Sequence, residues 1–86
     1  MGASTFVPLS RVWRMLTMCL PGYTSRETAH HHRITAPDGR LYPSLPLGDH
    51  GHRRDAFIKA GNVRNLVRFF EIESCARDHL PEAFGS

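Results

Sequence analysis

The chain is poor in cysteine and lysine and has no long apolar run. It has 86 residues with two cysteines, Cys19 and Cys75, and only one of its eleven basic side chains, Lys59, is a lysine. Two cysteines cannot form the disulfide framework of a small secreted domain, and these two match no metal-binding spacing. We therefore expect a reducing, cytoplasmic environment.

The most apolar stretch, residues 15–20, is much shorter than the roughly 18 residues that a membrane span needs. No small-residue cleavage site follows it, so we expect neither a membrane segment nor a signal peptide. Hydrophobic residues make up 41% and charged residues 22% of the chain, which is typical of a globular domain. A chain of this length fits one domain, residues 1–86, without a deep enclosed site, so chemistry would lie on an open surface that suits nucleic acid.

Positive charge is concentrated in the body of the chain. Residues 1–70 contain ten basic and four acidic side chains, whereas residues 71–86 contain one basic and four acidic ones. Arginine binds phosphate through two parallel hydrogen bonds, so an arginine-rich body favours a polyanionic partner such as RNA. Codon bias in a GC-rich genome would give the same preference for arginine over lysine.

Two stretches have the apolar spacing of amphipathic helices. Apolar side chains at positions 9, 12, 13, 16, 19 and 20 predict a helix over 9–20, which Pro21-Gly22 ends. A second stripe, at 63, 66, 67 and 70, predicts a helix over 62–72 with Asn62 as its cap. The acidic residues from 73 onward are loosely patterned.

The region between the helices is rich in turn residues and predicts a sheet within 22–47. Pro37-Asp38-Gly39 is a turn between two strands, 30–36 and 40–47, and residues 23–28 can supply a third strand. Pro43 and Pro46 predict that the last strand is an edge strand or is bulged. The fold class is therefore α+β: a helix, a three-stranded antiparallel sheet and a helix in two layers. We expect these residues to be buried together: Trp13, Leu16, Leu20, Ile34, Leu66, Val67 and Phe70.

Three of the six histidines are consecutive, at positions 30–32. Since neighbouring side chains on a strand point to opposite faces, we expect His30 and His32 on one face and His31 on the other. Histidine can exchange protons near neutrality, and RNA cleavage needs a base to activate the ribose 2′-OH. Two alternatives remain open: histidines without a role, or a metal site formed with His50 and His52. Cys19 is more typical of core than of a nucleophile.

The order of motifs resembles the HicA family of bacterial mRNA interferase toxins. The family has a first helix that ends in a leucine followed by a glycine–aromatic pair, then an arginine, and then a catalytic histidine with Pro-Asp-Gly six residues beyond it. The corresponding segments here are Leu20-Pro21-Gly22-Tyr23, Arg26 to His31, and Pro37-Asp38-Gly39. The family's last helix opens in a pattern similar to Lys59-Ala60-Gly61-Asn62-Val63-Arg64-Asn65-Leu66.

This resemblance covers about residues 9–72 and leaves 73–86 as an acidic extension. It implies a fold similar to a double-stranded-RNA-binding domain, and a metal-independent endoribonuclease that needs no cofactor. His31 would be the catalytic base, and an antitoxin protein would cover the site. We expect phosphate contacts from Arg26, Arg33, Arg53, Arg54, Arg64 and Arg68. The alternatives are an RNA-binding module without cleavage and an inhibitor that docks on an acidic protein.

Overall fold

The computed structural model describes residues 6–48 and 56–84 of the chain. Three helices and five strands follow one another along these residues, and a short 3₁₀ turn closes them. The elements are β1 (Phe6–Pro8), α1 (Leu9–Cys19), β2 (Thr24–Glu27), β3 (His31–Thr35), β4 (Leu41–Pro46), β5 (Phe57–Lys59), α2 (Ala60–Phe70), α3 (Glu73–His79) and the turn Pro81–Ala83.

The two long helices each follow directly from a short strand. β1 and β5 pair antiparallel with Val7 opposite Ile58, and each runs without a loop into an 11-residue helix. The residues before the helices, Pro8 and Lys59, are extended and make no side-chain cap. The amide of Leu9 instead donates to the carbonyl oxygen of Ala56 at 2.8 Å, which satisfies one free donor at the start of α1.

The three-stranded sheet has the order β2-β3-β4, with both pairs antiparallel. Between β3 and β4 the Pro37-Asp38-Gly39 turn forms as predicted: the amide of Gly39 donates to the carbonyl of Ala36, and φ of Gly39 is 97°. β4 is an edge strand whose register with β3 shifts between His32 and Ile34, consistent with the prolines in β4. The predicted α+β fold, with a helix, a three-stranded antiparallel sheet and a helix, is confirmed.

The helices and the inner side of the sheet enclose one hydrophobic core. Six of the seven residues predicted to be buried together belong to it, namely Leu16, Leu20, Ile34, Leu66, Val67 and Phe70. Trp13 is only half-buried and packs at the edge of the core. The prediction for Asn62 is wrong: α2 begins at Ala60, so Asn62 lies inside the first turn instead of capping it. Pairing of β1 with β5 was not predicted.

The acidic C-terminal segment is part of the core. Ala76, Leu80 and Ala83 are fully buried, and Arg11 of α1 forms a bidentate pair with Glu82 at 2.8 Å. The two cysteines, which we expected to remain unpaired, form a disulfide between α1 and α3. With a sequence separation of 56, this bond contributes about 4 kcal/mol in the chain-entropy model. Sequence spacing did not indicate it because the partner cysteine lies in the loosely patterned segment.

Candidate nucleic-acid interface

The two sides of the three-stranded sheet differ in what covers them. Along β3, His32 and Ile34 point into the core, whereas His31 and Arg33 are exposed. Because strand residues alternate, the exposed side also carries the neighbours that pair with them on β2 and β4. We call this side the outer face; it includes Thr24, Arg26, Thr28, His31, Arg33, Thr35, Leu41 and Pro46.

Two arginines lie directly opposite each other at the centre of the outer face. Arg26 of β2 pairs in register with Arg33 of β3. Like charges at such a position repel each other, since directly opposed side chains have Cβ atoms about 4.5–5.5 Å apart. Within the described part of the chain, neither guanidinium has an ion pair or a hydrogen bond. A bound anion would remove this repulsion.

The paired arginines border a shallow hollow of about 300 Å³. Its other lining residues are Thr24, Ser25, Thr35 and Leu41. The threonine hydroxyls add hydrogen-bond donors next to the guanidinium groups, and Leu41 adds an apolar edge. The volume is at the lower end of the range of small-ligand sites, so it suits a phosphate with part of its sugar.

The arginines of the described ranges fall into two groups: those whose side chain makes an ion pair, a hydrogen bond or a ring contact with another residue, and the free ones, whose side chain makes none. Arg11 binds Glu82, Arg40 binds Asp38, Arg64 donates to the carbonyl oxygen of Ala83, and Arg77 lies over the ring of Phe84. The free ones, among residues 6–48 and 56–84, are Arg14, Arg26, Arg33 and Arg68. Only Arg26 and Arg33 of these lie on the sheet.

His31 lies on the outer face at the start of β3, two residues before Arg33. This spacing corresponds to roughly 6–7 Å along a strand. Its backbone is held by Thr28, whose amide and hydroxyl both donate to the carbonyl oxygen of His31, at 2.8 and 3.0 Å. The amide of His31 donates in turn to the Thr28 hydroxyl at 3.2 Å. The imidazole is therefore exposed but is carried on a fixed backbone.

The predicted position of His30 is wrong. His30 precedes the strand and lies in the turn that joins β2 to β3, so strand alternation does not apply to it. Its ring lies beside that of His31, with centroids 6.4 Å apart, and not beside His32. Two exposed imidazoles therefore lie together at one end of the outer face.

His32 lies on the opposite side of the sheet and is 8% exposed. Its ring meets Trp13 edge to face, with centroids 5.1 Å apart. Its buried Nε2 has no hydrogen-bond partner among the described residues. Burial lowers the pKa of His32 below its ordinary value, and the nearby Glu27 carboxylate opposes this in part. This histidine is a core residue and cannot reach a substrate.

The remaining predicted contacts do not lie on the outer face. Arg64 and Arg68 belong to α2, which packs on the inner side of the sheet, and Arg64 is half-buried against Ala83. Arg53, Arg54, His50 and His52 lie outside the described residues. A metal site formed by the triple histidine is not supported by the geometry of β3, because His31 and His32 point to opposite sides of the sheet.

Several residues of this face were not predicted from the sequence. One is Thr28, which holds the backbone of His31. The others line the hollow: Thr24, Thr35 and Leu41. None of them is charged, so residue type alone does not indicate a functional role. The available signal for Thr24 and Thr28 was their period of two with Arg26. For Thr35 and Leu41 it was the β3–β4 register, which the Pro-Asp-Gly turn fixes.

Comparison of the chain with protein-family models, with curated proteins and with solved structures returns no match. None of the helices in the described ranges combines the length and the hydropathy that a membrane span requires. The assignment of a function therefore depends on the geometry of the outer face and on the motif order that resembles the HicA family.

Proposed function

We propose that the outer face binds RNA and that His31 cleaves it. The observation that carries this proposal is the opposed pair Arg26 and Arg33 next to His31; neither arginine has an ion pair within residues 6–48 and 56–84. An arrangement of two unneutralised guanidinium groups is unfavourable for the isolated fold and favourable for phosphate binding. The open sheet surface accommodates an extended strand of RNA, which a small enclosed site would not.

The cleavage step is an internal transesterification. An imidazole nitrogen of His31 takes the ribose 2′-OH proton, and the oxygen attacks the adjacent phosphorus. Arg26 and Arg33 hold the phosphate and stabilise its developing charge. The bond to the 5′ oxygen breaks, and that oxygen takes a proton from the imidazolium of His30. The products are a 2′,3′-cyclic phosphate and a free 5′-hydroxyl.

The family that the sequence resembles has one catalytic histidine. Here His30 lies beside His31 and provides a second group, which can act as the acid. An acid–base pair needs two groups on opposite sides of one phosphate, and centroids 6.4 Å apart leave room for that. We therefore expect both His30 and His31 to matter, contrary to the expectation from strand alternation alone.

The proposed partner is an antitoxin protein that covers the outer face and carries acidic groups to meet Arg26 and Arg33. The proposed compartment is the cytoplasm, where mRNA is found. Disulfides such as Cys19–Cys75 are typical of oxidising compartments, so in the cytoplasm we expect this pair largely as thiols.

RNA binding is tested by fluorescence anisotropy with a short single-stranded oligoribonucleotide over a series of salt concentrations. Each lost phosphate contact lowers the salt slope by about 0.7 for a single strand. We expect Arg33→Ala and Arg26→Ala each to weaken binding and flatten the slope by about this amount. The matched control is Arg14→Ala, which removes from α1 an exposed arginine that likewise has no ion pair in the part of the chain that the structure describes.

Equal effects of Arg14→Ala and Arg33→Ala would refute the outer face as the binding surface. Binding by a wild type that never cleaves would leave an RNA-binding module. Absence of RNA binding even at low salt, with salt-sensitive binding of an acidic protein, would replace RNA with a protein partner.

A further inference from the structure

The disulfide region holds a third side chain with metal-binding chemistry. Cys19 is the last residue of α1, and Cys75 and His79 lie four apart on α3, so they share one side of that helix. One ligand atom from each of the three lies within 4.8 Å of the other two. No other group of this kind occurs in the described portions of the chain.

The ligand set is typical of zinc. Thiolate sulfur binds Zn²⁺ at about 2.3 Å and imidazole nitrogen at about 2.0–2.1 Å, so tetrahedral ligands lie about 3.5–3.8 Å apart. The ligand atoms of the three side chains lie within 4.8 Å of one another, close to this spacing. Once the disulfide is reduced, the two sulfurs can move apart to tetrahedral positions. Sulfur and imidazole do not suit Mg²⁺ or Ca²⁺, which prefer oxygen.

We propose that the reduced protein binds Zn²⁺ through Cys19, Cys75 and His79. The cysteines are half-buried and His79 is exposed, so the fourth tetrahedral position is open to water. This proposal concerns a site on the helices and is independent of RNA binding at the sheet.

The two forms of the site exclude each other because they use the same sulfur atoms. A dithiol reductant gives two electrons and two protons to the disulfide, which yields two thiols and an oxidised reductant. The thiols then lose their protons as they bind Zn²⁺, and His79 gives a nitrogen lone pair. Either form links α1 to α3, so the zinc form replaces the covalent link under reducing conditions.

The experiment compares oxidised and reduced protein in a titration with Zn²⁺ and with Co²⁺. Reduced wild type binds one equivalent, with thiolate-to-cobalt absorption and the visible bands of a tetrahedral Co²⁺ site. The oxidised protein retains all six histidines but no thiolate, so it measures binding by histidine alone. We expect it to show neither band.

The discriminating variant is His79→Ala, because it leaves the disulfide intact. Loss of a direct ligand weakens zinc binding by at least about tenfold, since loss of an outer-shell partner alone costs roughly 10–100-fold. Its oxidised form melts as wild type does, which shows that the fold is retained. If reduction unfolds the protein, Zn²⁺ refolds the wild type and fails to refold His79→Ala at the same concentration.

Three results would overturn the proposal. One is a reduced wild type that neither binds nor refolds with Zn²⁺. Another is equal Zn²⁺ affinity of the reduced and oxidised proteins, which would place the metal on histidines elsewhere. The third is a reduced His79→Ala with the affinity of the wild type.

Discussion

The two faces of the three-stranded sheet are made by the same strands and have opposite characters. His31 and His32 are neighbours with the same side chain, yet His31 is exposed whereas His32 is buried, with 8% exposure, against Trp13. On β3 and β4 the inner face is buried at His32, Ile34 and Leu45. The Nε2 of His32 has no hydrogen-bond partner among the described residues. The outer face has two opposed arginines without partners in the described residues. The face of the sheet to which a side chain points therefore decides whether the residue stabilises the fold or is available for function.

The largest expected effect is loss of RNA cleavage in His31→Ala. Removing a general base costs about 10²–10⁴-fold in rate. The side chain is exposed, so thermal melting and RNA affinity should remain close to those of the wild type. The measurement is gel analysis of RNA fragments produced by the disulfide-bonded protein in EDTA.

His30→Ala is the companion variant, and it should also lower the rate, because the leaving 5′ oxygen then lacks its proton donor. If His31→Ala kept full activity and His30→Ala lost it, the general base would be His30 and not His31. Loss of activity in EDTA with recovery on adding zinc would indicate metal-dependent chemistry instead.

The second prediction concerns the inner face. Ile34 is fully buried, so Ile34→Ala should lower the free energy of unfolding by about 2–5 kcal/mol through lost burial and a cavity. The variant Arg33→Ala, one residue earlier on the same strand, should change it by no more than about 1 kcal/mol. Urea unfolding measures both. Similar losses in the two variants would contradict the assignment of the faces.

The fold was largely predictable because its signals are local. Apolar stripes located α1 and α2, and the Pro37-Asp38-Gly39 turn located the β3–β4 hairpin. Pairing of β1 with β5 was not predictable in this way, since three-residue strands about 50 positions apart have no periodic signal. The burial of the acidic segment was missed for the same reason: Ala76 and Ala83 are small, and their packing depends on tertiary contacts.

The candidate site was predictable in part. Arg26, Arg33 and His31 were identified from residue type and motif order, and the structure brings them to one surface. His30 was misplaced because the strand begins one residue later than expected, which takes it out of the alternation. The position of Arg64 away from the outer face was not predictable, because its hydrogen bond to Ala83 joins segments that sequence alone does not bring together.

The third prediction tests whether the opposed arginines are strained. Arg26→Ala removes one of two like charges and should raise the free energy of unfolding by up to about 1 kcal/mol at low salt. The gain should shrink as salt screens the charges, and added phosphate should stabilise the wild type more than the variant. Thermal melting with and without phosphate measures this. A destabilised variant with an unchanged phosphate response would mean that the pair does not repel.

The smallest expected effect is a pH dependence that belongs to the inner face. Burial lowers the pKa of His32 in the folded state below the ordinary 6.5 that it has in the unfolded state. Protonation therefore favours the unfolded chain, and stability is lost as the pH falls below about 6.5 towards the folded pKa. His32→Leu removes this group along with the unpartnered Nε2, so it should be more stable than the wild type, increasingly so at lower pH. Glu27→Gln should steepen the loss, because the Glu27 carboxylate partly offsets the lowering. Urea midpoints between pH 8 and pH 5 compare the three proteins, and parallel curves for wild type and His32→Leu would show that His32 is not responsible.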